Sequence, residues 1–110
     1  MIEIIIYNWL KSKLNVPVYL EEPLNAPESY VLIEKTGSRQ NNKLNSATFA
    51  LQSYAPSLYE SASLNEEVKE HMLNIIELNE VAFSSLNSDY NFTDTQTKRY
   101  RYQAVFDLKY

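Results

Sequence analysis

The sequence predicts an α+β fold: one domain with a mainly antiparallel sheet of four or five strands and two helices packed on one face of that sheet. Two segments carry apolar residues at helical spacing, and the last segment of the chain alternates apolar with polar residues. Such alternation is typical of strands that have one buried and one exposed face, as in an antiparallel sheet with helices on a single side. A length of 110 residues suits one domain. The predicted order is helix, strand, strand, strand, helix, strand, strand.

The first predicted element is a helix over residues 2–15. Three consecutive isoleucines favour a strand, but the helical spacing continues for about three turns and outweighs that propensity. Pro17 ends the helix because the residue before a proline is driven out of the helical region. The predicted apolar stripe consists of Ile2, Ile5, Ile6, Trp9, Leu10 and Leu14.

Three strands are expected next. Residues 18–21 are predicted as an edge strand, since Pro17 cannot donate to a central ladder, and residues 22–29 as a loop. Residues 30–36 are rich in β-branched side chains and predict a strand that ends at Gly37, the only glycine, where a bulge or a positive backbone angle would use it. The polar segment 38–45 is predicted as a hairpin loop in solvent, followed by a strand over residues 46–54.

A long helix is predicted after Pro56. Ser57 has the spacing of a capping box: its hydroxyl accepts from the amide of Glu60, and the Glu60 carboxylate reaches back to the amide of Ser57. A helix with one apolar stripe buries that stripe against another element. We expect the long helix to pack on the sheet that contains the preceding strand. That stripe is Leu58, Ala62, Asn65, Val68, Met72, Ile75 and Ile76.

The chain closes with two predicted strands. Residues 81–86 predict a short strand and residues 87–98 a long polar loop. The final strand places tyrosines and other apolar residues from Tyr100 to Tyr110 on one face. Arg99 and Arg101 then form a positive stripe on the opposite, outer face.

Composition narrows the function classes. The net charge of −4 argues against general affinity for nucleic acid or anionic lipid. The chain has no cysteine, which excludes disulfides, thiolate metal sites and a cysteine nucleophile. The apolar run near the N-terminus is far too short to span a membrane and lacks the features of a signal peptide. We therefore expect a soluble protein of the cytoplasm with no membrane partner.

No constellation of reactive side chains stands out. His71 is the only histidine and has no partners at metal-binding spacing, while one glycine cannot form a phosphate-binding loop. The acid pairs Glu21–Glu22 and Glu66–Glu67 direct neighbouring carboxylates to different sides. We therefore expect no enzyme, no catalytic residue, no metal site and no cofactor.

The nine tyrosines and one basic cluster leave two interpretations open. Tyrosine suits ordinary half-buried strands and also protein interfaces. The cluster Lys98–Tyr102 alternates cations with aromatic rings, which is the composition of a platform for single-stranded nucleic acid. A contact between subunits is the other interpretation of the same residues.

The order of several short motifs resembles a known protein family. Val16-Pro17-Val18-Tyr19 follows the first helix, Pro27-Glu28-Ser29-Tyr30 leads into Thr36-Gly37-Ser38, Tyr54-Ala55-Pro56-Ser57 precedes the long helix, and Arg99-Tyr100-Arg101-Tyr102-Gln103-Ala104 closes the chain. Together they resemble the small tail-terminator (tail-completion, head–tail joining) proteins of long-tailed bacteriophages and prophages. The likeness covers nearly the whole chain. It departs from the family pattern at Ser38, where related sequences often carry a second glycine.

The resemblance implies a structural protein of the virion. Members of that family form a ring, usually of six subunits, that caps the tail tube, ends tube polymerisation and joins the head connector. The expected partners are other copies of the chain, in a hexamer on the virion and as a monomer free in solution, the tail tube protein, and the head-completion or connector protein, with no specific nucleic acid. The expected location is the tail–head junction, and the bacterial host cytoplasm during assembly.

Two alternatives remain: another neck, connector or adaptor subunit of a phage, and a small nucleic-acid-binding module. A ring requires two different, complementary patches on each subunit. Acidic residues of the long helix are one candidate patch, and the arginine stripe is the other. The basic hairpin is a candidate contact with the tube or the lumen. The candidate interface residues are Glu66, Glu67, Glu70, Arg99 and Arg101, with Arg39 and Lys43 on the hairpin.

Overall fold

The computed structural model describes residues 1–41 and 44–110. It has two helices and a five-stranded, mostly antiparallel sheet, which confirms the predicted α+β class and element order. The elements are α1 (Ile2–Lys13), β1 (Val18–Tyr19), β2 (Tyr30–Asn41), β3 (Leu44–Tyr54), α2 (Leu58–Asn74), a 3₁₀ turn (Ile75–Glu77), β4 (Phe83–Asn91) and β5 (Arg101–Lys109).

The sheet has the strand order β1-β2-β3-β5-β4. β1 is a two-residue edge strand parallel to β2, and every other neighbouring pair is antiparallel. β3 is therefore the middle strand, and β2, β3 and β5 all hold fully buried side chains. β4 forms the second edge.

Both helices pack on the same face of the sheet. α1 contributes Ile2, Ile6 and Leu10 to a common core, as the predicted stripe required. Trp9 joins the two helices, because its indole N–H donates to the carbonyl oxygen of His71 at 2.7 Å. The core further contains Val31, Ile33, Ala47, Phe49, Leu51, Leu64, Val68, Met72, Ala104, Phe106 and Leu108.

The buried face of α2 differs from the predicted stripe at both ends. Ser61 and Leu64 are buried, whereas Leu58 and Ile76 are 41% and 53% exposed. Ser57 caps the helix as predicted, accepting from the Glu60 amide at 3.1 Å. The second half of the capping box is different, since the Ser57 hydroxyl donates to the Glu60 carboxylate at 2.9 Å.

One segment predicted as a loop is mostly strand, and another is strand in its first part. β2 continues to Asn41 and β3 begins at Leu44, so the predicted loop 38–45 is largely a paired hairpin. β4 continues to Asn91, through the first part of the predicted loop 87–98. The sequence did not indicate either extension, because the residues at these strand ends are mostly polar and show no apolar alternation.

The expectation for Gly37 is half correct. The ladder between β2 and β3 shifts register between Lys35 and Gly37, which places a bulge at the predicted point. Gly37 has no positive φ, and a Cβ added to it would meet nothing within 4 Å. The bulge is therefore compatible with residues other than glycine.

Candidate functional site

The face of the sheet opposite the helices carries an ordered cluster of aromatic and polar side chains. Tyr30 of β2 and Tyr54 of β3 are register partners, and their rings stack with centroids 4.5 Å apart. Both are buried although no helix covers them. Tyr19 meets Tyr30 edge-on at 5.7 Å. The side chains on this face thus cover one another.

Arg99 and Arg101 lie on this outer face, as predicted, and both are engaged there. The Arg99 guanidinium lies 4.7 Å from the ring centre of Tyr54 and donates to the Glu22 carboxylate at 3.3 Å. Arg101 donates to the Tyr54 hydroxyl at 2.8 Å and to the carbonyl oxygen of Phe92 at 2.7 Å. The predicted positive stripe is therefore partly neutralised and held against aromatic rings.

Glu22 and Tyr30 extend this cluster to the β1–β2 loop. The Tyr30 hydroxyl donates to the Glu22 carboxylate at 2.5 Å, and Arg99 also contacts that hydroxyl. Burial, reinforced by the hydrogen bond to Glu22, raises the pKa of Tyr30. The phenol therefore remains a neutral donor that joins two loops from different parts of the chain.

A second part of the same face is a glutamine pair. Gln52 and Gln103, on adjacent strands, are buried, and the Gln52 amide donates to Gln103 at 2.8 Å. The Gln103 amide donates in turn to the hydroxyl of Tyr90, and the Tyr54 hydroxyl donates to Gln52 at 3.3 Å. A chain of hydrogen bonds thus runs across the middle of this sheet face. This part of the face is occupied by polar side chains, which need no helix to cover them.

The acidic candidate residues lie on the far side of the domain. Glu66, Glu67 and Glu70 are exposed on α2, on the side turned away from the sheet. Glu66 pairs with Lys69 at 2.8 Å, and Lys69 also contacts Asp89 of β4 at 3.3 Å. The acidic and arginine patches are thus on opposite sides of the subunit and do not meet within one chain.

The hairpin of β2 and β3 is the most exposed part of the sheet. Arg39 is exposed, and the residues of β2 from Glu34 to Asn41 are exposed in succession. Leu44, at the start of β3, is 64% exposed. Lys43, the other basic candidate here, lies outside the described residues.

A groove beside β2 was not predicted from the sequence. It has a volume of about 480 Å³ and runs along the edge of β2 beyond the short strand β1. Its lining is Met1, Glu3, Leu20, Glu21, Glu22, Leu32, Ile33, Glu34 and Lys35. The lining comes from three segments that only the tertiary structure brings together. The one sequence signal is the adjacent acid pair Glu21–Glu22, whose carboxylates the sequence directs to different sides.

Reactive groups do not converge in the part of the chain that the structure describes. His71 lies on α2, where its carbonyl oxygen, not its imidazole, accepts from Trp9. Residues 1–41 and 44–110 contain no group of three or more histidine or carboxylate side chains placed to hold a metal ion. Among those residues, no helix is both long and apolar enough to cross a membrane.

No protein-family model matches this sequence, and no curated protein matches it significantly.

Proposed function

We propose that this protein is a structural subunit that assembles with copies of itself into a ring, and that the ring is a phage tail terminator. In this role it caps the tail tube, stops tube polymerisation and offers a surface to the head connector. The observation that carries the proposal is the arrangement of the sheet: both helices lie on one face, so no helix covers the other face, and the hairpin is exposed. The motif order described above selects the tail terminators among assembly proteins.

Three further features support an assembly role. The exposed side chains include large apolar residues on β4 and next to it, with Phe83, Leu86, Tyr90 and Phe92 each about two-fifths exposed. Aromatic residues and arginine are enriched at the cores of protein interfaces. The acidic and basic patches are also two different surfaces of the subunit with opposite charge, as a heterologous contact requires.

The geometry argues against the nucleic-acid alternative. A base must stack on a free aromatic face. Tyr54 stacks on Tyr30 and carries the Arg99 guanidinium, and Arg101 lies 4.3 Å from the ring centre of Phe92. The two arginines of the predicted platform, Arg99 and Arg101, are therefore already held against other aromatic rings of the sheet.

The proposal predicts rings and capped tubes. The purified chain is mixed with the tail tube protein encoded by a neighbouring gene and examined by negative-stain electron microscopy. We expect rings of six subunits at one end of each tube and a narrow distribution of tube lengths. A phage or prophage lacking this gene should produce overlong, headless tails, and a complemented strain is the control. Normal tails in the deletion strain would overturn the proposal.

A further inference from the structure

The edge of β2 next to the groove has unused hydrogen-bonding groups. β1 pairs with β2 only at Val31 and Leu32, and the Val31 amide donates to the carbonyl oxygen of Pro17 at 2.9 Å. Because backbone groups alternate sides along a strand, the amides of Ile33 and Lys35 point to the same side as that of Val31. The parallel pairing of Tyr19 with Leu32 uses the Ile33 amide, and no described strand pairs with the Lys35 amide on that side. An extended segment placed along this edge would continue the sheet.

The chemistry of the groove defines such a segment. Leu20, Leu32 and Ile33 give it an apolar part, and four glutamates, one lysine and Met1 complete the lining. The Lys35 ammonium forms an ion pair with the Glu3 carboxylate at 3.1 Å, whereas Glu21 has no ion pair with any described residue. The groove therefore fits an extended segment that carries positive charge and an apolar side chain.

The chain itself contains a segment of that kind. From Lys35 to Tyr59 the sequence has no acidic residue, and the hairpin within it carries Arg39 and, by sequence, the lysine at position 43. The described part of the hairpin is extended and exposed, and Leu44 offers an apolar side chain that is 64% exposed. The other free edge, β4, is a poor match because Phe83–Asn91 has one aspartate and no basic residue.

We propose that the β2–β3 hairpin of one copy lies in the acidic groove beside β2 of a second copy. This inference rests on the proposed self-assembly and names its contact: Arg39 faces Glu21 and Glu34, and Leu44 packs on Leu20 and Leu32. Each subunit both donates a hairpin and receives one. The contact is therefore heterologous and closes into a ring when the rotation between subunits allows it.

Disulfide trapping tests the contact directly, because the chain has no cysteine of its own. Gln40→Cys on the hairpin and Leu20→Cys in the groove are made in separate chains that carry tags of different mass, then mixed at about 1 mM under mild oxidation. The control pair is Gln40→Cys with Glu77→Cys, whose exposed residue lies in the 3₁₀ turn after α2. We expect the mixed disulfide of the test pair to exceed that of the control pair about tenfold.

The outcomes separate this inference from the ring proposal. Equal yields from the two pairs in a protein that still forms oligomers would overturn the contact and leave the ring standing. A chain that stays monomeric at about 1 mM would overturn the contact as one that forms in solution, and would leave the ring on the tube standing. A disulfide-trapped dimer that forms no larger oligomer would support the contact and contradict the ring. Protection of the Lys35 amide from exchange only after adding tube protein would assign the groove to that partner instead.

Charge reversal provides an independent measurement. Arg39→Glu alone, or Glu21→Lys with Glu34→Lys, should weaken self-association about tenfold in sedimentation experiments. Combining all three reversals in one chain should restore it, because the charges again match. Glu77→Lys is the control and should change nothing. A combined variant that associates no better than the single reversals would overturn the inference.

Discussion

The ring of Tyr30 lies parallel to that of Tyr54, with planes 8° apart, on the face of the sheet that no helix covers. The Arg99 guanidinium lies against the ring of Tyr54, and the Tyr30 hydroxyl donates a hydrogen bond to the Glu22 carboxylate. The loop before β2 and the segment before β5 are thereby joined across the sheet. The side chains of the sheet face that no helix covers thus hold that face in one conformation, as the proposed assembly surface requires.

Removing the stack should destabilise the whole domain. Tyr30→Ala deletes a fully buried ring, and we expect the free energy of unfolding to fall by about 3–5 kcal/mol. Urea denaturation followed by circular dichroism measures it. Tyr59→Ala is the control, since Tyr59 is 80% exposed and should cost no more than about 0.5 kcal/mol. Similar losses in both variants would mean that the stack does not anchor the sheet.

Asp89 should matter more than Glu66, although both contact Lys69. Asp89 accepts from the buried amide of Asn65 at 3.2 Å and pairs with Lys69 at 3.3 Å. Asp89→Ala leaves both donors without this acceptor, so we expect a loss of about 1–3 kcal/mol in urea unfolding. Glu66→Ala removes only an exposed partner and should cost about 0.5 kcal/mol or less. The reverse order would show that Asp89 does not tie α2 to β4.

Gly37 should tolerate a side chain. Its φ is not positive and a Cβ would meet no atom within 4 Å. We therefore expect Gly37→Ala to raise the free energy of unfolding by about 0.4–1 kcal/mol, because alanine restricts the unfolded chain. Thermal unfolding measures this. A clear loss of stability would mean that the bulge needs glycine after all.

Glu3 should make stability depend on pH in the acid range. A hydrogen bond from its own backbone amide, aided by Lys35 at 3.1 Å, lowers the pKa of Glu3 below its ordinary value of 4.5. A lowered pKa adds stability that is complete above the ordinary value and is lost as pH falls through the folded value.

The expected result is a gap between wild type and Glu3→Gln that is open at neutral pH and closes between about pH 5 and pH 3. Urea unfolding at a series of pH values measures the gap. Repeating the series at about 1 M salt screens the attraction between Lys35 and Glu3. The stability difference between the two proteins at neutral pH should therefore become smaller. A gap that is constant with pH would contradict the assignment.

Local patterns predicted much of the fold. The α1 stripe, the cap at Ser57 and the alternation of β5 depend on neighbours a few residues away, so they are visible in the sequence. The paired ends of β2 and β4 are not, because polar residues such as Gln40 and Ser88 form strand there only when another strand supplies their hydrogen bonds. The shifted face of α2 has a similar cause, since the sheet beneath decides which side is buried.

The candidate surfaces divide in the same way. Residue order alone determined the element order, the acidic character of α2, the basic hairpin and the placement of Arg99 and Arg101 on the outer face, because side-chain direction follows directly from strand and helix periodicity. Only the tertiary structure decided that Arg99 meets Tyr54 and that Leu20, Leu32 and Glu34 share one groove. Those contacts depend on strand register and on where β1 leaves the edge, and both are set by packing between segments distant in sequence.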